Sequence, residues 1–147
     1  MIRNNAELTV SNFESLKLIK EVCDENNLNS VAHIAINSGM NRLGFKDRNE
    51  LNEIYKELKE KENIEIEGIF THFATLGIND KEWDNQLEKF KEITKDIDLK
   101  QIPIVHLYKS AAFMNHPKLE FANGIRLGIG MYGYYSNPVY NTKGIKN

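Results

Sequence analysis

The sequence predicts an α/β fold organised around a parallel β-sheet, and two observations carry that expectation. Short, near-continuously apolar runs alternate along the chain with longer segments whose apolar residues recur every three or four positions. That is the pattern of strands buried on both faces and joined by helical crossovers. Polar residues also gather just after the apolar runs, and parallel α/β folds bind their ligands at the carboxyl ends of the strands.

Each element follows in turn. "AELTV", residues 6–10, reads as a first strand. In "SNFE" the pair Ser11 and Glu14 forms a candidate capping box, and Phe13, Leu16, Ile19 and Cys23 then recur at helical spacing. Cys23 falls on the apolar side of that helix and reads as a buried core thiol. Residues 31–36, opening "VAHIAINSGMNRLGF", form the second strand and run into a polar loop. Asp47 and Glu50 repeat the capping pattern, and Leu51, Ile54, Tyr55 and Leu58 mark one face of a second helix. The charges of "KELKEKENIEIE" are its solvated side. Residues 64–70 make a third strand. After the loop "ATLGIND", Trp83, Leu87, Phe90 and Ile97 give a third amphipathic helix. Residues 104–107 make a fourth strand, "SAAFM" starts a short helix, and "GIRLGIGMYG", residues 124–133, is a fifth apolar strand ending in glycines. A polar tail follows Tyr140.

An open doubly wound sheet and a (β/α)8 barrel both satisfy this alternation. A complete barrel takes about 250 residues and eight strands, and only five strands are visible in these 147 residues. The dinucleotide fingerprint G-x-G-x-x-G is absent, and Gly128 to Gly130 has no long helix behind it.

Composition narrows the function classes. With 41% hydrophobic and 27% charged residues, the chain has the balance of one folded domain with its own core. A net charge of −2 and a pI of about 6.1 supply no broad positive field for a phosphate backbone, so nucleic acid is excluded as a partner. No stretch reaches the roughly 20 apolar residues of a membrane span or resembles a cleavable signal. A lone cysteine forms no intrachain disulfide, and the expected compartment is the cytoplasm.

The strand ends carry the chemistry. After the second strand come Asn37, Ser38 and Arg42; after the third, Thr71 and His72; after the fourth, Lys109 and Ser110; within and after the fifth, Arg126 and Gly128. Arg126 lies inside an apolar run, where a guanidinium requires a carboxylate or a ligand. Ser110 alone would be an N-cap for "AAFM". Combined with a helix start and the glycines Gly128 and Gly130, it favours a phosphate, which barrels often bind with the loops after their last two strands. If the fourth and fifth strands are barrel strands seven and eight, the first visible strand is number four, and three strands belong before Met1. His33 is expected to be an interior hydrogen-bonded residue, His106 to orient a loop and His116 to be exposed. The histidines lack metal-ligand spacing, and no Ser-His-Asp order is present.

The motifs "HIAINSGMNRLGF", "EGIFTHFATLG", "QLEKF", "HLYKSAAF" and "GIRLGIGMYG" together resemble the pyridoxal-phosphate-dependent alanine racemases, in order and spacing, from about Ala6 to Tyr135. The resemblance implies a partial (β/α)8 barrel, about strands four to eight. Residues 1–135 would then be the carboxyl-terminal part of the cofactor-binding barrel, and 136–147 a linker toward a carboxyl-terminal β domain. It implies interconversion of L- and D-alanine for peptidoglycan synthesis, in a homodimer or with a complementary chain supplying the other strands. Alternatives within reach of the same likeness are an alanine/serine racemase domain linked to glycopeptide resistance, a non-catalytic cofactor-holding barrel, and a truncated remnant.

Carried over by position, Arg126 resembles the arginine facing the pyridine nitrogen and His72 the histidine beside the ring. Ser110 with the backbone of Gly128 and Ile129 resembles the phosphate cradle, and Arg42 the arginine touching the phenolic oxygen near the substrate carboxylate. Several positions depart from the family pattern. Ala35 replaces a lysine, often carbamylated, that partners Arg42; Asn37 replaces Asp, Asn41 replaces Gly, and Lys109 replaces Asn. No stretch resembles the "VKANAYGHG" motif that carries the Schiff-base lysine, and the catalytic tyrosine belongs to the β domain. Lys109, beside the phosphate serine, is not placed for the aldehyde. The chain is therefore expected to hold no catalytic residue and to be inactive when isolated.

Overall fold

The apolar runs pair into five parallel strands, β1 (Leu8–Val10), β2 (Ser30–Ile36), β3 (Ile64–Thr71), β4 (Ile104–Lys109) and β5 (Gly124–Arg126). The computed structural model describes residues 1–74 and 81–134, so the expectations for residues 75–80 of the loop "ATLGIND" and for the tail from residue 135 lie outside the described residues. Strand order in the sheet is β1-β2-β3-β4-β5. A doubly wound sheet reverses its order at a switch point, whereas strands laid down in sequence, all parallel, form a barrel wall. The architecture is thus an arc of a (β/α)8 barrel.

Four helices cover the outside: α1 (Phe13–Asn26), α2 (Arg48–Lys59), α3 (Lys81–Ile93) and α4 (Ser110–Asn115). Among the described residues, no helix is long and apolar enough to cross a membrane. The capping box of α1 sits one residue later than the sequence suggests. Asn12, not Ser11, is the N-cap, its Oδ1 accepting from the Ser15 amide at 2.7 Å, while Ser15, not Glu14, reciprocates through Oγ. Serine at the third position satisfies the cap amide just as a carboxylate would, so the pattern admits both registers. Asp47 caps α2 as expected, accepting from the Asn49 and Glu50 amides at 2.8 and 3.1 Å.

The helices press one apolar side each onto the outward side chains of the strands. Leu16, Ile19 and Cys23 of α1, Leu51, Ile54 and Leu58 of α2, and Trp83, Leu87, Phe90 and Ile93 of α3 join Val10, Ile34, Ile69, Val105 and Leu107 in one core. Fully burying a Leu, Ile or Val side chain contributes roughly 1.5–3 kcal/mol, and this layer is what holds the helices to the sheet. Cys23 is fully buried, and desolvation raises its thiol pKa, so it is the inert core residue expected.

Two elements are shorter than their apolar patterns. α3 stops at Ile93, where Thr94 turns its hydroxyl back to the Phe90 carbonyl at 2.8 Å, and Ile97 reaches the core from the turn beyond. β5 ends at Arg126 instead of running to Gly133; Ile129–Tyr132 is a 3-10 turn. Ser110 draws that turn in, because its Oγ accepts from the amides of Gly128 and Gly130 at 3.0 and 3.2 Å. A Cβ on Gly130 would lie 2.7 Å from Met114 Cε and 3.1 Å from Ser110 Cβ and Oγ, so the turn packs closely on α4 at this glycine. Ser110 is accordingly the first residue of α4 and not its N-cap, a position held by Lys109.

Candidate functional site

The inner face of the sheet is polar where the outer face is apolar. His33 of β2, His106 of β4 and Arg126 of β5 point inward and are joined by hydrogen bonds. Glu7 Oε2 lies 2.8 Å from His33 Nε2, His33 Nδ1 lies 2.9 Å from His106 Nε2, and His106 Nδ1 lies 2.8 Å from Arg126 Nη1. β3 contributes the space for this line. A Cβ on Gly68 would sit 2.1 Å from His33 Nδ1, so no other residue leaves room for the ring to pass over the strand. Next to Gly68, Phe70 stacks on His106 at 4.8 Å and lies under the Arg126 guanidinium at 5.0 Å.

The guanidinium fixes the protons along the line. Arginine has only donors, so His106 Nδ1 accepts, its proton sits on Nε2 and goes to His33 Nδ1, and the His33 proton sits on Nε2 and goes to Glu7. Both imidazoles are neutral in this arrangement. Burial, then the charge of Arg126, pushes His106 down to about 3, in keeping with that assignment. His33 is thus the interior hydrogen-bonded residue expected. His106 is not a loop-orienting residue, because its backbone carbonyl and ring both hold Arg126. The second guanidinium nitrogen donates to the Thr71 carbonyl at 2.6 Å. The partners of Arg126 are therefore carbonyls, an imidazole and an aromatic face; of the two partners its place in an apolar run suggests, a carboxylate or a ligand, the carboxylate is not among them.

The loop after β2 is built to present Arg42. Asn37 is buried, and its Oδ1 accepts from the amides of Gly39 and Asn41 at 3.3 and 3.0 Å. This role uses only an acceptor oxygen, which explains why Asn can stand where Asp is usual. Asn41 adopts the left-handed conformation, φ 58, which Asn tolerates better than most residues, so its replacement of Gly is also accommodated. Ser38 ties the loop to β3 through Thr71 Oγ1 at 2.7 Å. Arg42 is exposed and, among the described residues, has neither hydrogen bond nor ion pair; with Asn37, Phe70 and His72 it lines a small recess at the rim. Ala35 is fully buried on the strand below and offers it no partner.

Basic groups converge here. His72 is lowered to about 4, by burial first and then by Arg126, Lys109 and Arg42. Burial and Arg42 lower Arg126 to about 10, which leaves it charged at neutral pH. Desolvation also lowers Lys109. Beside them, Ser110 is buried and organises the turn that carries Gly128 and Ile129. The structure therefore brings Arg42, His72, Ser110, Arg126, Gly128 and Ile129 to one rim. His116 stands apart and is half-buried, not exposed, stacked on Trp83 with ring centroids 3.9 Å apart. A recess of about 730 Å³ along Ile2, Leu8, Leu18 and Val22 lies at the β1/α1 edge and involves none of the rim residues.

A rim made of donors, with a serine-organised turn beside it, has the chemistry of a site for an anionic ligand. Its residues fit a phosphate-bearing, electron-poor ring such as pyridoxal 5'-phosphate: an arginine fixed by backbone carbonyls, the aromatic face of Phe70 beneath it, and Gly130 where a Cβ would crowd Ser110. Glu7, Gly68 and Phe70 are the members that sequence reasoning missed. The usable signal was two histidines placed inside apolar strands.

Residues 1–136 match the family model of the alanine racemase N-terminal domain. The chain belongs to the alanine racemase family. It is 39% identical to the alanine racemase of Clostridium tetani over 95% of its length and 36% identical to that of Methanococcus maripaludis over 99%. The solved alanine racemase of Clostridium difficile superposes with a TM-score of 0.82 at 34% identity, covering 93% of this chain. The chain spans between a third and two-fifths of these alanine racemases, 36% to 39% of their lengths.

Proposed function

We propose that these residues form the cofactor-holding wall of a pyridoxal-phosphate-dependent alanine racemase, within residues 1–135, with 136–147 leading toward a β domain. The observation that carries this reading is the meeting of Arg42, His72, Ser110 and Arg126 at one rim in a chain of this family. When bound, pyridoxal phosphate supplies an electron sink for the substrate's α-carbon. Arg126 would hold the pyridine nitrogen and, having no proton it can give up at neutral pH, would supply a hydrogen bond while leaving that nitrogen unprotonated. The line from Glu7 through His33 and His106, with the Thr71 carbonyl, keeps the guanidinium in register for that contact. His72, held neutral, would stand beside the ring. The Ser110 hydroxyl proton and the Ile129 amide serve the phosphate, since the Gly128 amide is already taken by Ser110. Arg42 would hold the phenolic oxygen and the substrate carboxylate.

Racemisation needs a base on each face of the α-carbon, and these 147 residues contain no stretch like the lysine motif and no tyrosine from a partner's β domain. The parent activity is the interconversion of L- and D-alanine for cell-wall synthesis, in the cytoplasm and as a homodimer, and the 147 residues alone are inactive. The purified chain should bind pyridoxal phosphate reversibly, lose that binding in Arg126→Met, leave no lysine adduct after borohydride, and not convert L-alanine to D-alanine. Clear turnover overturns the inactivity; binding indifferent to Arg126→Met overturns the cofactor site.

A further inference from the structure

Gln86 opens the motif "QLEKF" and has no part in the reading above. It lies on the apolar side of α3 beside Trp83, Leu87 and Phe90 and is only 1% exposed. A carboxamide among such neighbours is costly unless it is bonded, so its place in the core calls for partners that an apolar side chain could not serve. Both of its ends are bonded. Nε2 donates to Glu82 Oε1 at 3.0 Å, one turn back on α3, and a carboxylate, having only acceptors, fixes which end of the amide turns toward it. Oε1 is thereby left for the Ala74 amide, which donates to it at 2.9 Å.

That bond grips the rim from the helix side. Ala74 follows Thr71, His72 and Phe73 at the end of β3, and Phe73 packs on Trp83 with ring centroids 4.1 Å apart. Two successive residues after His72 are therefore held by α3. The same side chain also lies against the loop after β2: a Cβ on Gly39, φ 149, would fall 2.8 Å from Gln86 Cγ and 3.2 Å from its Cδ. A glutamine with a free end could swing aside, but this one is bonded at both ends of its amide. Above it, Asn37 Oδ1 accepts from the amides of Gly39 and of Asn41, the residue before Arg42. One buried side chain thus meets the loop that carries Arg42 and the segment that carries His72.

We propose that Gln86 is a positioning residue of the rim, a buried carboxamide on α3 that sets the Arg42 loop and the His72 segment at a fixed separation so that both meet one ligand. It acts through Gly39 and Ala74. The inference rests on the proposed cofactor site and adds to it the part that holds two of its groups in register.

The experiment follows the His72 and His106 imidazole resonances through a pH titration of the 147-residue chain and of its Gln86→Met, Gln86→Leu and Thr94→Val variants. Thr94→Val is the control, since it removes another buried polar group, the hydroxyl bonded to the Phe90 carbonyl just beyond α3. His72 titrates at about 4 because it is buried among Arg126, Lys109 and Arg42. Both Gln86 variants should raise that midpoint by about one pH unit or more, as the segment loosens and admits water, while His106, held by His33 and Arg126, stays within about 0.3. Affinity for pyridoxal 5'-phosphate should fall about tenfold in both Gln86 variants and stay within about threefold of wild type in Thr94→Val. An unmoved His72 overturns the proposal, as does equal movement of His72 and His106, or an equal effect of Thr94→Val. A wild-type chain that binds no pyridoxal phosphate removes the cofactor reading, and the two histidine midpoints then decide the part of Gln86 by themselves. If neither Gln86 variant folds, hydrogen exchange of the wild type decides: the Ala74 amide should exchange as slowly as those of β3, and exchange at the rate of an unstructured chain overturns the proposal.

Discussion

Gly68 is the residue on which the inner line depends. An added methyl would fall 2.1 Å from His33 Nδ1, inside any allowed contact, so Gly68→Ala must displace the ring and break its bonds to His106 and Glu7. We expect a loss of about 1–3 kcal/mol in denaturant unfolding, the usual cost of overpacking. Arg126→Met should strand the Thr71 carbonyl and the His106 ring, at a cost of about 1–3 kcal/mol. It should also raise the midpoint of His72 in an NMR titration, because one of the cations that depress it is gone. The sequence made Arg126 visible because a guanidinium inside an apolar run needs a partner, whereas Arg42 and His72 stood out by following strand ends and by the family resemblance. Gly68 was silent, since what a glycine makes room for is decided by the neighbouring strand. Glu7 was silent for a similar reason, its partner lying 26 positions away.

At the level of elements, periodicity located β1–β5 and α1–α4 but not every end, and it did not mark the 3-10 turns at Ile2–Asn4 and Leu99–Gln101. An apolar run continues through β5 and into the 3-10 turn without a change of composition, and the hydrogen bonds that Ser110 Oγ accepts from the Gly128 and Gly130 amides hold the chain in the turn beyond the ladder. α3 ends early for the same kind of reason: Ile97 is buried, but by a turn and not by the helix. The cap of α1 was displaced by one residue because Ser11, Asn12 and Ser15 are all competent capping residues. The structure makes the cap testable. Asn12→Ala should destabilise by about 1 kcal/mol, and Ser11→Ala by much less; chemical unfolding of the two variants checks this.

For the whole molecule, acid should be destabilising, and the sign follows from the histidines. His72 and His106 titrate at about 4 and about 3 when folded, against an ordinary 6.5 in the unfolded chain. Between those values the unfolded chain binds more protons, so stability falls as pH drops below about 6.5, by up to about 1.4 kcal/mol per pH unit for each histidine. Urea midpoints measured from pH 7 to pH 5 should decrease, and His106→Gln should flatten the slope. β1 and β5 each have one strand neighbour among the described residues, so each presents an unpaired backbone edge. Concentration-dependent association in sedimentation is the expected behaviour of the isolated chain, and a monomer at every concentration would contradict it. The sequential strand order, which separates a barrel wall from a doubly wound sheet, could not be read from alternation alone because both architectures alternate.

The line Glu7–His33–His106–Arg126 also behaves as wiring with a polarity. A guanidinium at one end and a carboxylate at the other permit only one sense of donation, so each ring has a single allowed tautomer and no proton can be sent the opposite way. Nitrogen NMR should find both Nδ1 atoms unprotonated. The line runs from Glu7, just before β1, across the sheet to Arg126 on β5, so side-chain hydrogen bonds join the two margins of the arc.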